Sequence, residues 1–116
     1  MKNKTITLYR PTGPQELELI KQNKYKHWPP RLPEQPIFYV VTNEAYARQI
    51  AIQWNVPASG LGFITRFRVL KSFMDRYQVH QVGSAIHSEW WIPAEDLEEL
   101  NENIVGEIEV IDEFPK

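Results

Sequence analysis

The sequence predicts an α+β domain built on a mixed, mainly antiparallel β-sheet core with two to three helices. Short runs rich in β-branched and aromatic residues recur along the chain. Few of the gaps between them hold a helical period, which disfavours a doubly wound sheet with a crossover helix at every step. With 116 residues, of which 42% are hydrophobic and 12% aromatic, the chain matches one compact domain, residues 1–116, with a genuine core.

Thr5 to Arg10 alternates polar and apolar side chains and reads as the first strand. Thr12-Gly13-Pro14-Gln15 is a helix start, with Thr12 or Gly13 as cap and Leu17 and Ile20 as an apolar edge, and the helix fades near Asn23. Lys24 to Pro36 carries Pro29, Pro30, Pro33 and Pro36, a density that excludes a regular helix or central strand and predicts a long ordered loop. Ile37 to Val41 is a buried strand. Thr42 or Asn43 caps the next helix, with Ala47, Ile50, Ala51 and Trp54 as one stripe, and Asn55 to Gly60 ends it.

Leu61 to Leu70 is a strand with Phe63, Thr65, Phe67 and Val69 on one face and Ile64, Arg66, Arg68 and Leu70 on the other. A helical turn over Ser72 to Tyr77, a weaker strand over Gln78 to Val82 and a turn at Gly83 lead to a strand over Ile86 to Ile92. Pro93 opens a helix through about Leu100, and Val105 to Ile111 closes the chain as a strand.

The chain lacks cysteine, no apolar run nears the ~20 residues needed to span a bilayer, and no signal-peptide core follows the N-terminus, so a soluble, cytoplasmic protein with no membrane partner is expected. The net charge of −2 hides an asymmetry. Met1 to Arg31 holds seven basic residues against Glu16 and Glu18, and Pro93 to Lys116 holds nine acids against Lys116. That leaves a basic surface suited to phosphates beside the plainer reading of two solvated faces, while the overall acidity argues against tight nonspecific binding to duplex DNA. His27, His80 and His87 are not at metal-ligand spacing, and there is no nucleophile elbow, P-loop or dinucleotide fingerprint.

The segment Ile86-His87-Ser88-Glu89-Trp90-Trp91-Ile92 sets a carboxylate inside an apolar, aromatic strand. Charged side chains are seldom buried unless paired or functional, which makes Glu89 the first candidate for chemistry. Alternation places His87, Glu89 and Trp91 on one face. A cross-strand ion pair from Glu89 to Arg66 or Arg68 is the competing structural reading. Arg10 ends the first strand near a helix N-terminus, where phosphates bind well, or pairs with Glu16 or Glu44 as a surface arginine. Trp28, between Lys26 and Arg31, either stacks on a ligand ring or anchors its loop on the core.

Three segments together resemble the ADP-ribosyltransferase fold, in particular the small bacterial enzymes of the group that includes DNA-modifying toxins and RNA 2'-phosphotransferases. They are Leu8-Tyr9-Arg10-Pro11-Thr12-Gly13 with the helix after it, Phe38-Tyr39-Val40-Val41-Thr42-Asn43-Glu44-Ala45-Tyr46-Ala47, and His87-Ser88-Glu89-Trp90-Trp91-Ile92-Pro93 followed by the closing strand from Ile104 to Val110. The chain also looks like short bacterial proteins labelled "ADP-ribosylation/crystallin", although the large helical hydrolase which that label suits does not match a strand-rich chain of this length. The resemblance implies a split β-sheet and NAD as substrate, with a nucleic acid or protein as acceptor. Glu89 would hold the 2'-hydroxyl of the nicotinamide ribose and stabilise the oxocarbenium-like cation. Arg10 would bind the ribose or pyrophosphate, Thr42 would support the site, and Tyr39 or Trp28 would stack on nicotinamide. His87 stands where family members often carry an acid or amide, and Arg10-Pro11 replaces the common His-Gly-Thr form. A noncatalytic module of the same fold that binds a nucleotide, a nucleic acid or a protein is the alternative.

Overall fold

The computed structural model describes residues 4–116. Its six strands are β1 (Thr5–Thr12), β2 (Ile37–Val41), β3 (Gly62–Leu70), β4 (Val79–Gln81), β5 (Ser88–Pro93) and β6 (Ile104–Phe114). They form one sheet in the order β4-β5-β2-β1-β3-β6. Every pairing among the described residues is antiparallel, so the expected mixed sheet is corrected to an antiparallel one. The helices are α1 (Pro14–Gln22), α2 (Glu44–Ile50), α3 (Val56–Ser59), α4 (Lys71–Met74) and α5 (Leu97–Glu102). A π-helical stretch, Ala51–Asn55, joins α2 to α3 into one rod, which leaves about four helical bodies rather than two or three.

The main core lies on the sheet face carrying Leu8, Val40, Phe67, Trp90 and Ile92. Trp28, 1% exposed, is its largest fully buried side chain and packs on Phe38 and Phe67 with ring centroids 5.2 and 5.1 Å away. The proline-rich loop is thus pinned by its tryptophan, and Asn101 fixes the Trp28 backbone by accepting from its N–H and donating to its carbonyl. Ile20 from α1 and Leu97 and Leu100 from α5 close the same core. Truncating a residue such as Leu8 there costs about 2–5 kcal/mol.

A smaller cluster on the opposite face joins Val41 and Ile64 to Ala47, Ala51 and Phe114. Asn43 starts the covering helix by accepting from the Tyr46 N–H at 2.8 Å, so the cap is Asn43 rather than Thr42. A Cβ at Gly62 would come within 3.1 Å of the Ala51 carbonyl, so this glycine lets the rod approach β3. Trp54 departs from the expected stripe and is 70% exposed. In the π turn, Val56 N–H reaches back to the Ala51 carbonyl, one residue beyond the α spacing, and side chains past Ala51 rotate off the buried line. Pro57 supplies the reason, because its ring would clash with the carbonyl four residues back in an unbroken α-helix. The rod ends at Gly60, whose φ of 84° is the left-handed conformation of a helix C-terminus.

β1 and β3 pair along their whole length, whereas β1 meets β2 at one pair, Tyr9 and Val41. Continuing that register sets Pro11 across from Tyr39, and proline has no N–H to offer the ladder. Arg10 fills the vacancy, with Nη1 donating to the Tyr39 carbonyl at 2.6 Å. The sheet therefore consists of two three-stranded halves, β4-β5-β2 and β1-β3-β6, joined by one ladder pair and by the core packed across both. The last strand runs past the expected Ile111 to Phe114, with register shifts against β3 and a left-handed Gly106 at φ 84°. No helix among the described residues is long and apolar enough to cross a membrane.

Candidate functional site

Where the halves diverge, a cleft of about 740 Å³ opens between the sheet and the α2–α3 rod. Tyr39, Val41 and Glu89 form its floor, with Tyr46, Ile50 and Trp54 along the helical wall. Arg10, Pro11 and Asn55 complete the end nearest the split. Register explains the floor, since Val41 lies opposite both Tyr9 and Glu89, and Tyr39 opposite Trp91. These side chains share the face turned away from the main core.

Glu89 is 9% exposed and is held by two neutral donors. Tyr46 Oη donates to Oε2 at 2.9 Å, and Trp91 Nε1 donates to Oε1 at 2.8 Å. The cross-strand ion pair does not form, because Arg66 pairs with Glu109 at 3.2 Å and no cation among the described residues pairs with Glu89. Burial first, then the hydrogen bond to Glu89, pushes the Tyr46 hydroxyl up to about 12, so it stays a donor across the physiological range. Trp91 is held in turn by parallel stacking on His80 at 3.6 Å and an edge contact with Tyr39 at 6.4 Å. The result is a carboxylate whose direction is set before any ligand arrives.

Arg10 borders the cleft from the opposite face. Its Nε and Nη2 donate to Glu16 at 2.7 and 2.9 Å, and its guanidinium lies 4.4 Å from the Phe38 ring centroid. Glu16, rather than Glu44, is thus its ion-pair partner and takes two of its five N–H donors. Tyr39, 47% exposed, presents its ring to the cleft. His87 does not line the cleft but braces it: its ring lies 4.8 Å from that of Tyr46, and Nδ1 accepts from the Ser84 N–H. A neutral His87 then carries its proton on Nε2, which donates to Gln49 Oε1 at 2.6 Å. Gly83 is required beside it, since a Cβ there would run into the His87 ring.

Thr42 and Trp28 stand outside the cleft. Thr42 Oγ1 bonds Ser88 Oγ at 2.6 Å and ties β2 to β5, while the buried Trp28 ring is on the far side of the sheet and unavailable to a ligand in the cleft. Sequence reasoning gave no role to Tyr46, Gln49, Trp54 or Asn55. For Tyr46 a signal existed, because it lies three residues after the Asn43 cap and four before Ile50, on the edge of the expected stripe. Trp54 carried no such signal, since it enters the cleft through the π turn. No protein-family model matches the chain, and no curated protein matches its sequence significantly.

Proposed function

We propose that the chain is an NAD-using, ADP-ribosyltransferase-like domain that holds the dinucleotide in the cleft at the split of the sheet. The observation that carries this reading is Glu89, a nearly buried carboxylate fixed by Tyr46 and Trp91 and left without a cation. A fixed negative charge in a partly dry cleft suits a reaction in which positive charge develops on a ribose as its leaving group departs. An ionised carboxylate offers about four lone-pair sites, so the two donors already present leave room for ribose hydroxyls. The cleft volume falls within the about 300–1,000 Å³ of small-molecule sites.

Tyr39 and Trp54 supply aromatic faces for a planar ring, and the split brings the Arg10 guanidinium close to any phosphate near Pro11. When bound, NAD would supply the activated glycosidic bond. The chain's part is to orient the ribose against Glu89, shield it with Val41 and Ile50, and keep Tyr46 protonated as the brace.

A noncatalytic nucleotide-binding module is the second reading, and the cleft lining favours it, since Glu89 is the one carboxylate there among the described residues and both its oxygens already accept hydrogen bonds, from Tyr46 and Trp91. Two measurements separate the readings. Titration of NAD into labelled protein should shift the Trp54 indole and the amides of Tyr39 and Glu89, and nicotinamide release should fall at least ~100-fold in Glu89→Gln. Shifts without release in the unaltered protein, acceptors included, support the binding module. The absence of any localised shift at millimolar NAD refutes both.

A further inference from the structure

A second hollow, of about 430 Å³, opens on the β1-β3-β6 half of the sheet, and Thr7, Tyr9, Arg66, Arg68 and Glu109 line it. Register builds it. Tyr9 pairs with Arg66 and Thr7 with Arg68 across β1 and β3, and Glu109 stands across from Arg66 on β6, so these side chains share one face. The same row runs from Tyr9 through Val41 to Glu89, which puts Glu89 on that face three strand spacings, or about 14 Å, from Arg66.

The donors here are open to a ligand and outnumber the acceptors. Arg66 and Arg68 stand two residues apart on one strand face, their Cα atoms about 7 Å from each other, so two like charges are neighbours. Arg66 gives Nε to Glu109 at 3.2 Å, with the two side chains 40% and 58% exposed. An ion pair so exposed is weak and yields to a competitor. Arg68 is exposed and has no hydrogen bond or ion pair among the described residues. Its guanidinium is nonetheless seated, because Nη2 rests against the β6 bulge, 3.4 Å from where a Cβ on Gly106 would stand. Glu107, the next acid along β6, lines a different hollow with Lys26 and His27. The lining thus sets two arginines against one carboxylate, a net single positive charge.

Those groups define the occupant. Guanidinium groups only donate, and the Thr7 and Tyr9 hydroxyls donate as well, so an oxyanion answers all four. A single negative charge balances the lining, whereas the second charge of a phosphate monoester meets Glu109. A carboxylate is planar, and one guanidinium fork takes both its oxygens. A phosphodiester is tetrahedral, so its two charged oxygens and two ester oxygens reach donors on β1 and β3 together. We propose that this hollow seats a phosphodiester, carried by a single-stranded nucleic acid or by a small nucleotide diester, with its charged oxygens on Arg68 and Arg66 and hydrogen bonds from Thr7 and Tyr9. The seat is separate from the Glu89 cleft, because no residue lines both.

The test follows the Thr7, Arg66 and Arg68 amides of the full chain, at constant ionic strength, during titration with cyclic AMP, AMP, adenosine and a short oligothymidylate. Cyclic AMP should shift all three saturably with a millimolar Kd, adenosine should leave them unmoved, and AMP should bind no tighter despite its extra charge. Arg68→Gln should weaken cyclic AMP at least about tenfold. Glu109→Gln should tighten AMP more than cyclic AMP, because it removes the charge that opposes a dianion. Arg68 and Glu109 are both exposed, so neither variant threatens the fold. Oligothymidylate binding at least about tenfold tighter than cyclic AMP identifies a strand as the source, and binding no tighter identifies a small diester. The proposal is overturned if no amide shifts saturably up to about 50 mM cyclic AMP, if adenosine shifts them equally, if AMP binds more than about tenfold tighter, or if Arg68→Gln binds unaltered. Glu89→Gln should leave this titration unchanged, and the Trp54 indole reports the other cleft, so the result stands apart from that of the NAD titration.

Discussion

Replacing Tyr46 by phenylalanine removes one oxygen atom and leaves Glu89 Oε2 without its donor. A hydrogen bond to a charged group contributes about 1.5–3 kcal/mol, and water entering from the open side of the cleft replaces part of it, so the lower bound of about 1.5 kcal/mol is expected. With an unfolding entropy of about 2.1 cal/mol/K per residue, a chain of 116 residues has about 0.24 kcal/mol/K in total, which converts the loss to a fall in Tm of about 6 °C. Scanning calorimetry measures this directly. Tyr39→Phe is the matched control, because the Tyr39 hydroxyl makes no hydrogen bond among the described residues and its loss should change stability by no more than about 0.5 kcal/mol. A double-mutant cycle with Glu89→Gln should return a coupling of about 1 kcal/mol between Tyr46 and Glu89. If Tyr46→Phe melts with the control, or the coupling vanishes, the hydroxyl does not fix the carboxylate and the pre-oriented site is refuted.

Alkaline titration offers an independent check. Tyr46 and Tyr77 are both pushed up to about 12, chiefly by burial and then by hydrogen bonds to Glu89 and Asp96, so each holds its proton more tightly in the folded state than in the unfolded one. The stability this confers is complete below about pH 10 and is lost as pH rises toward 12, and urea unfolding of Tyr46→Phe and Tyr77→Phe should each show a shallower decline over that window. Glu16→Gln strips the part-buried Arg10 of its counter-charge and should cost about 2 kcal/mol, while Arg10→Met combined with Glu16→Met should recover most of it; equal losses in single and double variants would contradict the pairing. Gly83→Ala should displace the His87 ring and weaken nucleotide binding severalfold in the NMR titration, and an unchanged affinity would remove His87 from the bracing of Tyr46.

Much of the sheet was legible because alternation survives wherever one face is buried. Phe67 and Val69 faced the core as the pattern required, and the odd carboxylate at Glu89 drew notice because its strand neighbours are apolar. What escaped depends on contacts between distant segments. The chain from Lys24 to Pro36 carries no period, so the direction of Trp28 was decided only by the room left between Phe38 and Phe67. Trp54 fits a 3.6-residue period in the sequence and leaves it in the structure because one π turn intervenes. Arg10 had two plausible neighbours, and Glu16 prevailed because α1 starts two residues beyond the end of the same strand. Tyr46 and Trp91 were visible as aromatics, but their convergence on one carboxylate required the register between β2 and β5.

A sheet whose halves share one ladder pair, Tyr9 and Val41, is joined across the divide by side chains more than by backbone. Each half keeps its own ladder intact under rotation about that pair, so widening the mouth beside Glu89 breaks almost no backbone hydrogen bonds and instead strains the Arg10 bridge to the Tyr39 carbonyl and the packing of Trp28 between Phe38 and Phe67. Amide exchange should register this as two cooperative units. β1, β3 and β6 should open together at one free energy, and β2, β4 and β5 at a lower one set by fewer paired residues. The arginine that spans the gap then acts as a tie-rod, and the width of the jaw responds to whatever competes for its donors.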